Sequence, residues 1–162
     1  MCRLAMMNRE GIKHMEDMYG LENLFNYLER QLGGHGNGIC FIYNDGSYFI
    51  RKGVKLTNAE IAEEVLMKLP YIKWIIYHTR LASVGNINDR NCHPFNNNGR
   101  VMAMNGTERD YTIANKSLTD TENILITTKN ITTGTREYRS VFLGYENGKV
   151  FANKNCIVFP NE

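Results

Sequence analysis

The stretch YIKWIIYHTR, residues 71–80, gives the clearest indication of how this chain folds. Pro70 precedes it, and an apolar run follows that is interrupted only by Lys73. A short apolar run bounded by a helix breaker is typical of a strand buried in a core. We therefore expect a buried strand over residues 71–78 that leads directly into the sequence His78-Thr79-Arg80.

Helical spacing and capping residues predict two helices upstream of this strand. Residues 21–32 have apolar positions at helical spacing and end at Gly33-Gly34, and Thr57 with Glu60 forms a capping box at the start of the second helix. The second helix has an apolar stripe that we expect to be buried: Ile61, Ala62, Val65, Leu66 and Leu69.

Turn residues and apolar runs predict the strands. We expect them over residues 2–7, in a hairpin over residues 38–52, over residues 101–104, and in a C-terminal hairpin of residues 138–145 and 149–155. Residues 83–100 are rich in Asn, Gly and Asp without periodicity, which predicts a long surface loop. Strands outnumber helices, and each amphipathic helix has to cover a sheet face. The pattern therefore predicts an α+β layered domain.

The composition excludes several classes of protein. The 162 residues predict one domain, residues 1–162, that can bury a core without disulfides or metals. With 19 Lys and Arg against 17 Asp and Glu, the formal net charge is +2, so charge indicates neither a nucleic-acid nor a membrane partner. No apolar run approaches the roughly 18 residues of a membrane helix, and no signal-peptide pattern is present, so we expect a cytoplasmic protein. The four cysteines form no CxxC pair and are expected to be free thiols.

Cys2 is a candidate nucleophile because it follows the initiator methionine. Removal of Met1 would leave a free α-amine on the residue that carries the thiol. An α-amine titrates near ~7.7–8.0 and a thiol near ~8.5, so the amine can take the thiol proton close to neutral pH. The thiolate would then attack a carbonyl, and the ammonium would protonate the leaving amine. The alternative interpretation is a cysteine buried in the core.

Asn105-Gly106, at the end of the strand expected over residues 101–104, is a candidate oxyanion hole. The Asn side-chain amide and the Gly backbone N–H can both point at one oxygen, because glycine lets the chain turn tightly. An Asn-Gly pair is also a common β-turn sequence, and Asn147-Gly148 is a second example in this chain.

Arg80 and Asp120 carry the opposite charges that suit the two charged groups of a free amino acid. The Arg80 guanidinium can bind an α-carboxylate through two parallel hydrogen bonds, and Asp120 can bind an α-ammonium. The structural alternatives are a surface charge at a strand end for Arg80 and a helix N-cap or turn residue for Asp120.

Six short motifs follow one another along the chain. They read Met1-Cys2-Arg3-Leu4; Gly34-His35-Gly36-Asn37-Gly38; His78-Thr79-Arg80-Leu81-Ala82-Ser83-Val84-Gly85; Asn91-Cys92-His93-Pro94-Phe95; Met104-Asn105-Gly106-Thr107; and Thr119-Asp120-Thr121-Glu122. In this order and at this spacing they resemble the class II glutamine amidotransferase domain of the N-terminal nucleophile (Ntn) hydrolases. The resemblance covers roughly residues 2–125. The opening Cys-Arg-Leu is also similar to small amidotransferase-like and γ-glutamyl hydrolase members.

The resemblance implies a fold and a reaction. The fold would be a four-layer αββα sandwich in one small domain, with the site at one end of the two sheets. Cys2 would be the nucleophile with its own α-amine as the base, and Asn105 with the Gly106 N–H would form the oxyanion hole. The expected reaction is hydrolysis of the glutamine side-chain amide through a γ-glutamyl thioester, with release of ammonia.

The resemblance also implies how the substrate is held and where the ammonia goes. Arg80 would bind the α-carboxylate of glutamine and Asp120 its α-ammonium, with Ser83 lining the same pocket. The ammonia would pass to a separate acceptor or synthetase subunit, or be released into water. A homo-oligomer is an arrangement that the sequence leaves open.

The sequence departs from the family pattern at several positions. Leu81 stands where many members have Trp, Val84 where many have His, and Met104 where a His usually precedes Asn-Gly. Residues 124–133 are short and β-branched where the family commonly has a longer helix. These differences leave two rival hypotheses, an amidase acting on another γ-glutamyl compound and a non-catalytic binding module with the same fold.

Two further patterns do not predict sites. His35, His78, Cys92 and His93 lack the spacing of a zinc site, so no metal is expected. The glycine-rich residues 33–38 lack the Lys-Ser/Thr of a phosphate-binding loop, and basic residues are scattered, which disfavours a nucleic-acid surface. We expect no cofactor.

Overall fold

Two antiparallel four-stranded sheets form the frame of the computed structural model, which describes residues 2–83, 85–112 and 118–154. The first sheet has the order β1-β4-β2-β3. Its strands are β1 (Arg3–Asn8), β2 (Asn37–Tyr43), β3 (Tyr48–Gly53) and β4 (Ile72–Thr79). The second sheet has the order β5-β6-β7-β8. Its strands are β5 (Phe95–Asn97), β6 (Arg100–Asn105), β7 (Val141–Glu146) and β8 (Lys149–Ala152). The protein is therefore a small α+β domain, as its sequence predicts.

In the described part of the chain, five helices accompany the sheets. They are α1 (Arg9–Met18), α2 (Leu21–Leu32), α3 (Asn58–Lys68), α4 (Asp120–Thr127) and α5 (Ile131–Gly134), with short 3-10 turns at Leu69–Tyr71 and Arg109–Tyr111. The predicted capping box of α3 is present, because Thr57 accepts from the Glu60 backbone N–H and Glu60 accepts from the Thr57 backbone N–H. No helix in the described ranges is both long and apolar enough to cross a membrane.

Three hydrophobic clusters hold these elements together. The helix cluster joins α1, α2 and α3 to the first sheet through buried residues that include Ile12, Phe25 and Tyr77. The inter-sheet cluster joins the two sheets and contains Met6, Cys40, Ile42, Ile76, Val101, Ala103, Leu143 and Tyr145. The third cluster joins α4 and α5 to the second sheet and includes Ile124, Ile131 and Phe142. The three clusters thus join helices to each sheet and join the two sheets to each other, which is compatible with a sandwich.

The ends of four strands meet at one edge of the frame. In the first sheet, Arg3 at the start of β1 pairs with Thr79 at the end of β4, and Thr79 also pairs with Asn37 of β2. In the second sheet, β6 ends at Asn105. Cys2, Arg80 and Gly106 continue directly from these strand ends, so the strand register carries the motif residues to the same edge.

The structure corrects three expectations from the sequence. Helix α1 was not predicted; Asn8 caps it by accepting from the Gly11 N–H. The side chain of Leu66, expected in the buried stripe of α3, is 38% exposed. The expected loop over residues 83–100 is shorter, because β5 and the first residue of β6 lie within it and residues 91–95 are buried.

Some expectations fall on residues outside the described ranges. Met1, Val84, Asn155 and Cys156 are among them. The other three cysteines, Cys2, Cys40 and Cys92, are free and buried.

Gly38, in β2, is required by a close approach of the chain. A Cβ atom there would lie 1.7 Å from the His93 carbonyl oxygen, so Gly38→Ala is expected to lower the free energy of unfolding by at least about 3 kcal/mol. Gly53→Ala, in the neighbouring strand, is the matched control, because its Cβ would meet a movable Asp89 side-chain oxygen at 3.3 Å. Urea denaturation of both variants measures the difference. Equal stabilities would mean that the backbone at Gly38 is not held against His93.

Candidate active site

Cys2 lies at the edge where the strands of both sheets end, and only 8% of its surface is exposed. Its backbone nitrogen donates a hydrogen bond to Asn105 Oδ1 over 2.9 Å. Its Sγ accepts from the Leu81 backbone N–H at 3.3 Å and lies 3.6 Å from the Leu81 carbonyl oxygen. Cys2 is therefore held by its thiol at the residue that follows Arg80 and by its backbone nitrogen at the end of β6.

The contact with Cys2 fixes the orientation of the Asn105 amide. Because Oδ1 accepts from the Cys2 nitrogen, Nδ2 is the atom of Asn105 that can donate to another group. The sequence predicts Asn105 as a hydrogen-bond donor at the site. In this orientation the oxygen of the Asn105 amide faces the Cys2 nitrogen, and the Nδ2 group is the donor.

Gly106 follows with a φ of +128°, in the region that favours glycine. A Cβ at this position would lie 2.5 Å from Ser140 Oγ, so Ser140 packs directly against the turn. The Glu108 carboxylate holds Ser140, accepting from its backbone N–H at 3.0 Å and from its hydroxyl at 2.5 Å. The backbone at Gly106 is thus supported by the residue that directly precedes β7.

Asp120 occupies the first position of α4, after the N-cap Thr119, and is 4% exposed. Its Oδ2 accepts from the Glu108 backbone N–H at 2.7 Å, and its Oδ1 accepts from the Thr121 N–H at 3.0 Å. Burial raises the pKa of the Asp120 carboxyl, and the two backbone hydrogen bonds counteract part of that rise. Glu108 therefore joins Asp120 to Ser140 and, through Ser140, to Gly106.

Arg80 is 2% exposed and holds the segment that follows it. Its guanidinium donates to the Asn86 carbonyl oxygen at 2.8 Å and to the Gly85 carbonyl oxygen at 3.5 Å. Its backbone extends the first sheet, since the Arg80 N–H donates to Gly36 and the His35 N–H donates to Arg80. His35 Nδ1 also accepts from the Ala82 N–H at 2.9 Å, which fixes the backbone just before Ser83.

One cavity joins these residues. Five of the six residues that the sequence singles out line it, namely Cys2, Arg80, Ser83, Gly106 and Asp120. The sixth, Asn105, touches its wall through the Cys2 nitrogen. The volume is about 20 Å³, which is space for about one water molecule. Ser83 Oγ lies 3.0 Å from Thr107 Oγ1, so two lining segments are in contact.

Burial raises the pKa of the Cys2 thiol, an effect opposed by the hydrogen bond from Leu81 and by the charge of Arg80. A thiol with a raised pKa is mostly protonated at neutral pH and needs a base to become a nucleophile. After removal of Met1, the α-nitrogen of the same residue is the atom placed to serve. A thiol, a nearby nitrogen and an oriented amide donor are the groups that acyl transfer requires.

Several residues of the site were not found from the sequence. Glu108, Ser140 and Thr107 support or line it through contacts that are distant in sequence, and no local motif indicates them. His93 also lines the cavity, although its Asn-x-His-Pro motif gave no chemical role. In the described residues, no three His, Cys, Asp or Glu side chains are grouped so that they could hold a metal ion.

Comparisons with known proteins add no relative: no protein-family model matches the sequence, and no curated protein matches it. The geometry of the cavity and the resemblance of the sequence motifs to those of a known family are therefore the basis for proposing a function.

Proposed function

We propose that this protein is a glutamine-hydrolysing enzyme of the class II amidotransferase type, with Cys2 as the nucleophile. The observation that carries the proposal is the 2.9 Å hydrogen bond from the Cys2 nitrogen to Asn105 Oδ1. This contact brings a thiol, the nitrogen that becomes the α-amine once Met1 is removed, and an amide donor to one wall of a cavity that Arg80 and Asp120 also line.

The fold is consistent with this proposal. Helices pack on the outer face of each sheet, and the inter-sheet cluster fills the space between the sheets. We assign this order of layers to the αββα sandwich of the Ntn hydrolases. In that assignment the cavity lies where the strand ends of both sheets meet.

The proposed reaction begins after removal of Met1. The α-amine of Cys2 takes the thiol proton, and Sγ attacks the side-chain carbonyl carbon of glutamine. The Asn105 Nδ2 group and the Gly106 N–H donate to the oxyanion of the tetrahedral intermediate. The ammonium then protonates the leaving nitrogen, so the C–N bond breaks and ammonia departs. Water hydrolyses the γ-glutamyl thioester, giving glutamate and restoring the thiol.

Charge complementarity supports a free amino acid as the substrate. The buried Arg80 guanidinium and the buried Asp120 carboxylate supply one cation and one anion at the same cavity. These charges match the α-carboxylate and the α-ammonium of glutamine, and Ser83 lies beside them. Other γ-glutamyl compounds with a free amino-acid head have the same charges and remain alternative substrates.

Substrate binding requires the cavity to enlarge. A volume of about 20 Å³ does not accommodate glutamine, so the segments around Ser83 and Thr107 have to separate. The Arg80 contacts with Gly85 and Asn86 would exchange for contacts with the carboxylate. The binding-module alternative is a chain of the same fold that binds an amino acid or a partner without turnover.

The direct test measures ammonia release from glutamine by two forms of the protein. The form that begins at Cys2 is expected to be active, and the form that retains Met1 is expected to be inactive, because its Cys2 nitrogen is an amide and cannot take a proton. Mass spectrometry verifies each N-terminus. Absence of release by the processed form, with glutamine or another γ-glutamyl compound, would exclude the proposed function. Ammonia passing to a separate acceptor subunit would appear as a product of that subunit when both are mixed.

Asp120→Asn is expected to raise KM for glutamine about 10- to 100-fold with little change in kcat, because a neutral amide replaces the charged partner of the ammonium. The amide oxygen can still accept from the Glu108 N–H and only the contact with the Thr121 N–H is lost, so the variant is expected to fold. Steady-state kinetics of ammonia release measures both constants.

The pH dependence provides the control for that variant. Burial raises the pKa of Asp120, so its charge is lost on acidification at a higher pH than that of an exposed carboxylate. The wild-type KM is therefore expected to rise as the pH falls through this raised pKa and to be low above it. The Asn variant lacks the titrating group and is expected to lose that rise. The same acid rise in both proteins would contradict the assignment of Asp120 to the ammonium.

A further inference from the structure

Two buried histidines, His78 and His93, lie at the Cys2 cavity, which His93 lines, and the proposed reaction does not use them. His78 ends the apolar run of β4, and His93 directly precedes Pro94 and β5. Their rings stack with centroids 3.9 Å apart and an angle of 11° between planes. His78 is 0% and His93 5% exposed, so the pair belongs to the interior.

Both rings bind the backbone of the same residue, Met104. The His78 Nε2 atom lies 3.0 Å from the Met104 carbonyl oxygen, and His93 Nδ1 accepts from the Met104 N–H at 3.3 Å. Pairing between β5 and β6 stops at Phe95 and Met102, two residues earlier along β6. The two imidazoles therefore take the place of a strand partner for the last part of β6, immediately before Asn105.

These contacts define the protonation of the pair. A ring nitrogen that accepts cannot carry a proton, so neutral His93 has its proton on Nε2. A ring nitrogen facing a carbonyl oxygen has to donate, so His78 also has its proton on Nε2. His78 Nδ1 is buried, with no hydrogen-bond partner among the described residues. Burial lowers the pKa of His78 to about 3 and the pKa of His93 well below its usual value, and the charges of Arg80 and Lys52 act in the same direction.

We infer that His78 and His93 are positioning residues that hold the Met104 backbone and thereby aim the Asn105 amide and the Gly106 N–H at one point beside Cys2. The inference rests on the proposed function, because that point is where the oxyanion would form. A displacement of about 1 Å in such a group can cost about 10²-fold in rate. The Asn-x-His-Pro motif would thus act on the oxyanion donors through one backbone residue.

Two substitutions of His93 separate positioning from packing and from base catalysis. His93→Phe keeps a ring against His78 and Phe95 but removes the acceptor for the Met104 N–H. His93→Asn has an acceptor near the Nδ1 position and no basic nitrogen. We expect His93→Phe to lower kcat for glutamine about 10- to 100-fold with KM nearly unchanged, and His93→Asn to stay within about threefold of wild type. A wild-type kcat in the Phe variant, or an equal loss in both variants, would overturn the inference.

NMR of the protein labelled with nitrogen-15 provides a readout that does not depend on turnover. Both wild-type rings are expected as Nε2–H tautomers that do not titrate between roughly pH 5 and 8. The Asn105 side-chain amide and Gly106 backbone resonances are expected to move in His93→Phe and not in His93→Asn.

The kinetic and NMR measurements distinguish a failure of this inference from a failure of the proposed function. If the wild-type protein releases no ammonia from any γ-glutamyl compound, the proposed function fails, and the NMR comparison alone decides whether the pair holds Asn105 and Gly106. If His93→Phe does not fold, a titrating ring or a proton on Nδ1 in the wild type would still overturn the inference.

Discussion

Cys2→Ala is expected to release no detectable ammonia from glutamine while keeping its fold. The thiol is the only group of the cavity that the proposed reaction uses to form the thioester, so no slower route through another side chain replaces it. The substitution removes one sulfur atom at the residue before β1 and is expected to cost less than about 2 kcal/mol of the free energy of unfolding. An ammonia assay and denaturant unfolding together measure the two effects.

Cys40→Ala is the matched control for that result. Cys40 is another buried free thiol, but it lies in the inter-sheet cluster and away from the cavity. Its variant is expected to lose some stability through the lost packing and to retain activity. An active Cys2→Ala protein would exclude the thioester mechanism.

Asn105→Ala is expected to lower kcat by about 10²–10³, the usual effect of removing one oxyanion donor. KM is expected to change little, because the proposed contacts with the ends of glutamine come from Arg80 and Asp120. The same substitution also removes the acceptor for the Cys2 nitrogen. Steady-state kinetics with the processed protein measures the loss.

Asn105→Asp separates the two contacts of that side chain. The carboxylate still accepts from the Cys2 nitrogen but has no hydrogen to donate to the oxyanion. Its kcat is expected to fall at least as far as that of the Ala variant. Asn147→Ala, in the other Asn-Gly turn, is expected to have no effect on kcat. A loss of less than threefold in Asn105→Ala would mean that Asn105 only forms a turn.

The sequence predicts most of the elements, because local signals mark them. Helix α2 begins and ends where helical spacing and the Gly33-Gly34 stop place it, and α3 begins with its capping box. Helix α1 was missed because its buried face consists of only Gly11, Ile12 and Met15 in ten residues.

The segment before β5 is an example of burial that the periodicity of apolar residues does not predict. Residues 91–95 are buried although their composition predicts a surface loop. Asn91 and Cys92 are held by hydrogen bonds to the loop itself, including that of Asn91 Nδ2 to the Asn86 carbonyl oxygen. Burial of this kind depends on polar contacts, which apolar periodicity does not record.

The candidate site, like the fold, could be predicted from the sequence only in part. The order of the motifs along the chain singled out six residues, and in the structure these residues lie at one cavity. The support of Gly106 by Ser140, and of Ser140 by Glu108, joins residues 32 or more positions apart, so only the folded chain reveals it.

The inter-sheet cluster has a consequence for how this site could be tuned. Cys2 and Arg80 extend from the first sheet, whereas Asn105 and Gly106 extend from the second. The gap between the proposed nucleophile and the proposed oxyanion donors would therefore depend on the thickness of the inter-sheet cluster, at side chains such as Ala103 and Ile76. In such an architecture the proposed reactivity would depend on the interior as much as on the cavity. A change in the volume of the inter-sheet cluster would shift the proposed reacting atoms although no residue of the site is altered.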